Sequence, residues 1–413
     1  MSANSNDPAA QAQQAVWPSV TPADAARDLQ GVTAPAGFRA AGVTAGIKAS
    51  GRPDMALVVN EGPQRSAAAV FTSNRVAAAP VHWSREVIKD GRVDAVILNS
   101  GGANACTGAP GFQDTHRTAE EVAGLLGASA TDVIVCSTGL IGERLPMEKI
   151  LSGAADAAAA LAADGGPDAA VSIMTTDTVP KQAVRTLGAV TIGGMAKGAG
   201  MLAPALATML VVVTTDAVIG SEELDAALRA ASAVSFDRAD SDGCMSTNDT
   251  VVLMASGASG VSPDLEAFTE ELKGLCTDLS LQLLADAEGA SHDIAVQTVN
   301  AASVADALEV SRAVSRSNLF KTAIFGNDPN WGRVLSEVGT TKAAFEPNDL
   351  DVSINGVMVC RGCGVGEDRT LVDLASARQV TVTIDLKAGT QQATIFTNDL
   401  THDYVEENSA YSS

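Results

Sequence analysis

The sequence is poor in aromatic and basic residues. Aromatic side chains make up only 3% of the 413 residues, so a core has to be built mainly from Ala, Val, Leu and Ile. Lys and Arg together number 27 against 49 Asp and Glu, which gives a formal net charge of −22. Nucleic acids and anionic membrane surfaces attract clustered basic residues, so the composition argues against both as partners. With 46% hydrophobic residues, the chain can still bury a large core.

Long hydrophobic runs are also lacking. The most apolar stretch, around residues 201–213, is shorter than the roughly 20 residues that a transmembrane helix needs. The first twenty residues have neither a basic region nor an apolar region of the kind found in signal peptides. We therefore expect a cytoplasmic protein in which residues 1–30 form a disordered tail.

Histidine is scarce, and the common catalytic motifs are absent. The 4 histidines show no metal-ligand spacing, and the sequence contains no GxSxG, P-loop or GxGxxG motif. Cys360 and Cys363 form a CxxC pair without a second pair of ligands nearby, which favours two thiols in a turn over a zinc site. Neither a metal nor a nucleotide cofactor is therefore expected.

Strand-like and helix-like segments alternate along the chain, which indicates an α/β fold. Runs rich in Val and Ile predict strands at residues 55–59, 93–98, 132–136, 189–192, 208–214, 250–254, 380–384 and 392–396. Helical patterns predict helices at residues 119–126, after Pro146, from Ser221, after Pro263 and after Asn300.

The segment around Thr208 joins a loop to a predicted strand. The loop KGAGMLAPALA precedes Thr208, and the apolar run MLVVV follows it. If the chain is cut before Thr208, the new α-amino group, with a pKa of about 8, can accept the proton of its hydroxyl. The Thr208 hydroxyl can make this cut itself by attacking the Ala207 carbonyl. A threonine at a strand start is common, however, so these residues alone leave a purely structural role open.

Cleavage and acyl transfer both pass through a tetrahedral oxyanion, which needs hydrogen-bond donors placed in advance. Thr138 and Gly139 follow the predicted strand at residues 132–136. They offer a hydroxyl and a backbone N–H as candidate donors.

Several segments together resemble the ornithine acetyltransferase family, the glutamate N-acetyltransferases of arginine biosynthesis. The pieces that carry the resemblance are LNSGGANACTG, STGLIGERLPMEKI, IMTTDT, KGAGMLAPALATML, MSTNDTV, GNDPNWGR and YVEENSAYSS. They extend from about residue 30 to the end of the chain. The resemblance implies self-cleavage between Ala207 and Thr208, so that residues 31–207 belong with the tail to the α chain and residues 208–413 form the β chain. It also implies an α2β2 assembly.

The resemblance further implies a reaction and a set of site residues. Acetyl would move from N2-acetylornithine to Thr208 and then to glutamate, in a ping-pong cycle without a cofactor; whether acetyl-CoA is also a donor stays open. The oxyanion hole falls on Thr138 and Gly139. The implied substrate contacts are Thr175, Lys197, Thr208, Glu288, Asn408 and Ser413.

The resemblance predicts a two-sheet αββα-like sandwich, similar to that of self-processing aminopeptidases, with a smaller C-terminal α/β part. Two alternatives remain. A self-processing amidase or aminopeptidase of the same fold would pass its acyl group to water, and a non-catalytic binding protein would keep the fold without cleavage.

Overall fold

The computed structural model describes residues 16–27, 29–203 and 209–410. Three of the residues that the sequence singles out, Ala207, Thr208 and Ser413, lie outside these ranges. The chain divides into two compact units. The N-terminal unit comprises residues 20–237 and 244–286, and the C-terminal unit comprises residues up to 19, 238–243 and 287–412.

The N-terminal unit is built from two sheets and flanking helices. Its described strands are β1 Phe38–Val43, β2 Met55–Asn60, β3 Ser66–Phe71, β4 Ala95–Ser100, β5 Val133–Thr138, β6 Lys181–Leu187, β7 Val190–Lys197, β8 Leu210–Thr215 and β9 Thr250–Ala255. Its described helices are α1 Ala23–Arg27, α2 Ala79–Val87, α3 Gly108–Leu126, α4 Met147–Ala159, α5 Gly166–Ser172, α6 Ser221–Ser232 and α7 Leu265–Ala285.

The sheets of this unit mix parallel and antiparallel pairs. The 4-stranded sheet has the order β1-β2-β4-β5, and the 5-stranded sheet has the order β3-β9-β8-β7-β6. β4 and β5 are parallel, as are β8 and β9, so each of these pairs needs a crossover connection. Helix α3 lies within the first crossover and α6 within the second.

The two sheets pack face to face between helices. One core joins side chains of both sheets, such as Val58 and Val96 from the first and Val212 and Val252 from the second. The opposite face of the 4-stranded sheet packs against α3 and α4, as in the contact of Ile97 with a cluster that includes Val122 and Ile150. Helices α6 and α7 cover the 5-stranded sheet. This arrangement confirms the predicted αββα sandwich.

The C-terminal unit is the smaller α/β part that was predicted. Its described strands are β10 Asp293–Ala301, β11 Asp351–Ile354, β12 Val357–Arg361, β13 Gly364–Val365, β14 Gln379–Asp385 and β15 Gln391–Asn398. They form one sheet of order β13-β12-β11-β14-β10-β15. Its described helices are α8 Val304–Ser315, α9 Asn318–Phe325, α10 Trp331–Val338 and α11 His402–Ala410. One apolar cluster, with Val296 and Val310 among its members, joins this sheet to its helices.

Two local predictions differ from the structure. α3 begins at Gly108 and not at residue 119, because Pro110 lies in the first turn, where no intrahelical partner for its nitrogen is needed. The GNDPNWGR segment has a composition typical of a turn, but Asn330 caps a helix there by accepting a hydrogen bond from the Arg333 amide.

Part of the segment predicted to be a disordered tail is also packed in the structure. Within residues 1–30, α1 lies beside β6, and the Gln182 side chain donates a hydrogen bond of 2.9 Å to the Ala26 carbonyl. Nearby, the Thr21 amide donates to the Asp278 carboxylate over 2.8 Å. The described part of this segment therefore differs from the expected tail.

Candidate active site

The turn after β5 presents Thr138 and Gly139. The Thr138 carbonyl accepts hydrogen bonds from the amides of Gly101 and Gly102, at 2.9 and 3.0 Å. Gly139 has φ +129°, and a Cβ built on it would lie 2.5 Å from the Gly102 nitrogen. Only glycine fits this turn, because any side chain would collide with the backbone of the loop that follows β4.

Lys197 ends β7 with its side chain against Thr138. Its Nζ donates to Thr138 Oγ1 over 3.3 Å, and the two residues are only 2% and 3% exposed. An ammonium group can only donate, so the Thr138 hydroxyl acts as the acceptor in this contact and keeps its own proton for another acceptor. This arrangement suits an oxyanion donor.

Asp177 supplies a buried negative charge close to Lys197 and Lys181. Its Oδ1 accepts hydrogen bonds from Lys181 Nζ at 2.6 Å and from the Gly198 amide at 2.7 Å. Burial raises the pKa of Asp177, but the charges of Lys181 and Lys197 outweigh it and hold this pKa well below its usual value. Asp177 is therefore ionised at neutral pH and offsets the buried lysines.

Thr175 is tied to the same carboxylate. Its amide donates to Asp177 Oδ2 over 2.8 Å. The structure thus connects three predicted site residues of the N-terminal unit: Thr175 through Asp177 to the end of β7, and Lys197 directly to Thr138.

After the gap at residues 204–208, the described chain resumes close to Lys197. Met209 directly follows Thr208, and its amide donates to Asp249 Oδ1 over 3.0 Å. The next residue, Leu210, begins β8 opposite Lys197 in the β7–β8 pairing. The described chain that follows Thr208 therefore starts beside Lys197, although Thr208 itself lies outside the described residues.

Glu288 and Asn408 lie together in the C-terminal unit. Asn408 Nδ2 donates to Glu288 Oε2 and to the Tyr404 carbonyl, both over 3.0 Å. A position so close to the end of the chain is typical of disorder, but Asn408 lies on α11, and Thr401 caps the first turn of this helix by accepting a hydrogen bond of 3.0 Å from the Tyr404 amide. The structure therefore places two of the implied substrate contacts side by side.

Glu288 also lines a cavity of about 270 Å³. Arg316 and Lys321 contribute positive charge to its wall, and Asp242 and Asp399 contribute negative charge. Burial lowers the pKa of Lys321, while the carboxylates around it act in the opposite direction. A cavity with charges of both signs suits a zwitterionic small molecule.

Several polar residues around Thr138 and Lys197 were not predicted from the sequence. Burial lowers the pKa of Lys48 to about 8, and its Nζ donates to the Met174 carbonyl over 2.7 Å. No motif contained Lys48. Asp177 and Asp249, in contrast, lie within the quoted pieces IMTTDT and MSTNDTV, so their segments carried a signal although their roles did not.

Within the described residues, no group of His, Cys, Asp and Glu side chains could hold a metal ion. Among the described helices, none combines the length and the apolar character that a membrane span requires.

Comparison with known proteins places the chain among arginine-biosynthesis enzymes. The sequence model of the ArgJ family matches residues 39–413. The arginine biosynthesis bifunctional protein ArgJ of Streptomyces coelicolor is 64% identical over 382 residues, covering 92% of this chain and 100% of the relative. The protein of the same name from Mycobacterium leprae is 57% identical over 393 residues, covering 93% and 96%.

A solved structure of ornithine acetyltransferase from Mycobacterium tuberculosis, complexed with ornithine, is 56% identical in sequence. It covers 44% of this chain and 96% of its own, with a TM-score of 0.40.

Proposed function

This chain belongs to the ArgJ family, and we propose that it transfers acetyl from N2-acetylornithine to glutamate through an acetyl-enzyme on Thr208. The observation that carries the proposal is the buried pair of Lys197 and Thr138 beside the start of β8. This pair supplies a hydroxyl donor and a fixed positive charge beside the residues that directly follow Thr208. The names of the close relatives support the pathway.

The first step of the proposal is self-cleavage. The Thr208 hydroxyl attacks the Ala207 carbonyl, and the tetrahedral oxyanion accepts hydrogen bonds from Thr138 Oγ1–H and the Gly139 amide. The bond between Ala207 and the Thr208 nitrogen then breaks, and the nitrogen takes up a proton. Water hydrolyses the resulting ester, which leaves a carboxylate on Ala207 and a free amine and hydroxyl on Thr208.

Acetyl transfer uses the same parts again. The new α-amine accepts the proton of the Thr208 hydroxyl, and the hydroxyl oxygen attacks the acetyl carbonyl of acetylornithine. The ornithine amine leaves with that proton, and the acetyl ester remains on Thr208. The amine of glutamate then attacks the ester and releases acetylglutamate.

The remaining predicted residues bind substrate in this proposal. Lys197 offers its ammonium to a substrate carboxylate, and Glu288 offers its carboxylate to a substrate ammonium. Thr175, Asn408 and Ser413 complete the set. We further propose a cytoplasmic α2β2 enzyme without a cofactor. Acetyl-CoA as an additional donor is a matter for direct assay.

The test is product analysis with purified protein. Incubation with acetylornithine and glutamate should yield acetylglutamate and ornithine in equal amounts, and a parallel reaction with acetyl-CoA reports on the second donor. The absence of acetylglutamate would refute the proposal. Release of acetate in place of acetylglutamate, with glutamate present, would instead identify an amidase.

Two variants at Thr208 test the nucleophile. Thr208→Ala removes the hydroxyl, so we expect an uncleaved and inactive chain of 41.8 kDa. Thr208→Ser retains a hydroxyl and should keep partial cleavage and turnover. Normal activity of the Thr208→Ala chain would exclude Thr208 from the mechanism.

A further inference from the structure

The dipeptide Asn248–Asp249 lies in the MSTNDTV segment and has no role in the mechanism above. It precedes β9, and both of its side chains are buried, at 5% and 0% exposed. Buried polar side chains are retained where their hydrogen bonds fix a particular arrangement of the backbone.

Asn248 holds the strand that carries the oxyanion donors. Its Nδ2 donates to the carbonyl of Ser137 over 2.8 Å and to the carbonyl of Ala103 over 2.6 Å. Ser137 directly precedes Thr138, and Ala103 belongs to the loop that packs against Gly139. One amide group thus fixes both sides of the proposed oxyanion hole.

Asp249 holds the segment that carries the nucleophile. Its Oδ1 accepts the hydrogen bond of 3.0 Å from the Met209 amide, which is the nitrogen of the peptide bond between Thr208 and Met209. The neighbouring Thr250 amide donates to the Met209 carbonyl over 3.2 Å. Two consecutive residues therefore bind the Met209 backbone: Asp249 accepts from its amide, and Thr250 donates to its carbonyl.

The Asp249 carboxyl favours its neutral form. Burial raises its pKa well above the usual value, against the opposing effects of the Met209 amide, of the Ser246 and Thr72 hydroxyls and of the Lys197 charge. Its Oδ2 is buried, and within the described part of the chain no donor meets the geometry of a hydrogen bond to it. An ionised oxygen in that position would be costly, whereas a neutral acid can still accept from Met209 through Oδ1.

We propose that Asn248 and Asp249 are positioning residues that set the distance between the oxyanion hole and the nucleophile, one side chain holding each part. This inference rests on the proposed function. The two parts belong to different sheets, since Thr138 ends β5 and Met209 precedes β8. Adjacent residues of one segment join them directly, so neither part can shift without breaking one of these bonds. A displacement of about 1 Å at a reacting centre can reduce a rate by about 10²-fold.

The experiment compares Asn248→Ala, Asp249→Ala and Asp249→Asn with the wild-type full chain. Self-cleavage is followed by denaturing electrophoresis, and kcat and KM for acetylornithine and glutamate are measured on whatever protein is cleaved. We expect both alanine variants to slow cleavage and lower kcat by about 10²-fold, with KM nearly unchanged. Asp249→Asn keeps a neutral acceptor for the Met209 amide and should restore most of the rate.

Matched controls come from buried residues that make the same types of bond elsewhere in the N-terminal unit. Asp216 follows the other end of β8 and accepts from the Thr191 amide over 2.8 Å. Asn60 donates from its Nδ2 to the Ala255 carbonyl over 3.1 Å. Asp216→Ala and Asn60→Ala should lower the melting temperature as the test variants do, yet cleave and turn over at close to the wild-type rate.

The outcomes separate this inference from the proposed function. If the wild-type chain cleaves itself but forms no acetylglutamate, the proposed function fails. The cleavage rates of the variants still test the positioning role of Asn248 and Asp249. If the wild type is active and Asn248→Ala and Asp249→Ala behave like the controls, the positioning role of Asn248 and Asp249 is refuted. An Asp249→Asn variant as slow as Asp249→Ala would also overturn the role of a neutral acceptor.

Discussion

The contact with Lys197 determines where the Thr138 hydroxyl can donate its proton. Because Lys197 can only donate to Thr138 Oγ1, the hydroxyl proton is left for an oxyanion. We therefore expect Thr138→Ala to lower kcat by about 10²–10³-fold, and Thr138→Ser to retain much more activity. Steady-state kinetics and the rate of self-cleavage are the measurements.

A control for Thr138 is available on α3. Thr118 is also buried, and its hydroxyl donates to the Asp114 carbonyl over 2.8 Å. Thr118→Ala removes a buried hydroxyl outside the site, so it should leave kcat nearly unchanged. Equal kinetic losses in the two alanine variants would argue against a special role for Thr138.

Asp177 gives the stability of the protein a particular dependence on pH. Its pKa is lower in the folded than in the unfolded chain, because two buried lysines outweigh the effect of burial. Its stabilisation is therefore complete above the unfolded pKa of about 4 and is lost as the pH falls toward the folded pKa. Asp177→Asn removes one of the two carboxylates that Lys181 contacts, the other being Asp286, and should destabilise the fold at pH 7 by about 3 kcal/mol.

Urea unfolding of both proteins across the acidic range tests this expectation. The difference in free energy of unfolding between wild type and Asp177→Asn should be constant above about pH 5 and should shrink below about pH 4. Asp225 forms an exposed ion pair with Arg229 and serves as a control, since Asp225→Asn should show little difference at any pH. A pH-independent difference for Asp177→Asn would contradict the assigned charge.

At the residue scale, sequence alone located only part of the site. Thr138 and Gly139 were predicted from their place after a strand and Lys197 from the resemblance, and the structure brings Lys197 into contact with Thr138. The roles of Asp177 and Asp249 could not be predicted, because each depends on a partner distant in the chain, such as Gly198 or Met209. Burial and long-range contacts decide the chemistry of such carboxylates, and neither is visible in a local pattern.

At the scale of elements, apolar runs predicted the central strands well. β2, β5, β8 and β9 are buried along their length, so continuous Val and Ile marked them. β6 was missed because it is an edge strand whose sequence, KQAVRTL, mixes polar residues with few apolar ones. β3, with the sequence SAAAVF, was missed because alanine gives no clear strand preference.

The turn after β5 provides a prediction at this scale. A Cβ at Gly139 would collide with the backbone of Gly101 and Gly102 at a φ of +129°. Gly139→Ala should therefore displace Thr138, abolish cleavage and lower the melting temperature. Gly142 is the control: its φ is also positive, at +90°, but a Cβ there meets nothing within 4 Å. Gly142→Ala should cost only the backbone strain of a positive φ and should still cleave, as electrophoresis and thermal unfolding would show.

At the scale of the whole molecule, the compact units and the predicted fragments divide the chain differently. The proposed cut lies before residue 208, whereas the C-terminal unit takes residues 287–412 together with the short segment 238–243. Sequence could not predict this division, because residues 238–243 join the later unit only through tertiary contacts such as the 2.8 Å bond between Arg316 and Asp240. The alternation of strands and helices did predict the layered α/β class.

The cut would pass through one sheet, and this predicts how the two fragments behave. In the 5-stranded sheet, β3, β6 and β7 precede residue 208, while β8 and β9 follow it. β8 pairs with β7 along residues 210–215, and β9 pairs with β3 along residues 250–255, so the strands of each fragment are hydrogen-bonded to those of the other. The side chains of Val211, Val212 and Val213 are at most 1% exposed, and separating the fragments would return them to water.

We therefore expect mass spectrometry of the purified protein to show residues 1–207 and 208–413 as separate masses, with the second fragment beginning TMLVV. Size-exclusion chromatography in native buffer should elute both as one species, and urea should separate them in the same transition that unfolds the sheet. The uncleaved Thr208→Ala chain is the control, because it should elute at the same native volume but give a single mass after denaturation. A single uncut wild-type chain with full transferase activity would contradict the role of the Thr208 amine as the base, since that amine exists only after the Ala207 peptide bond is broken.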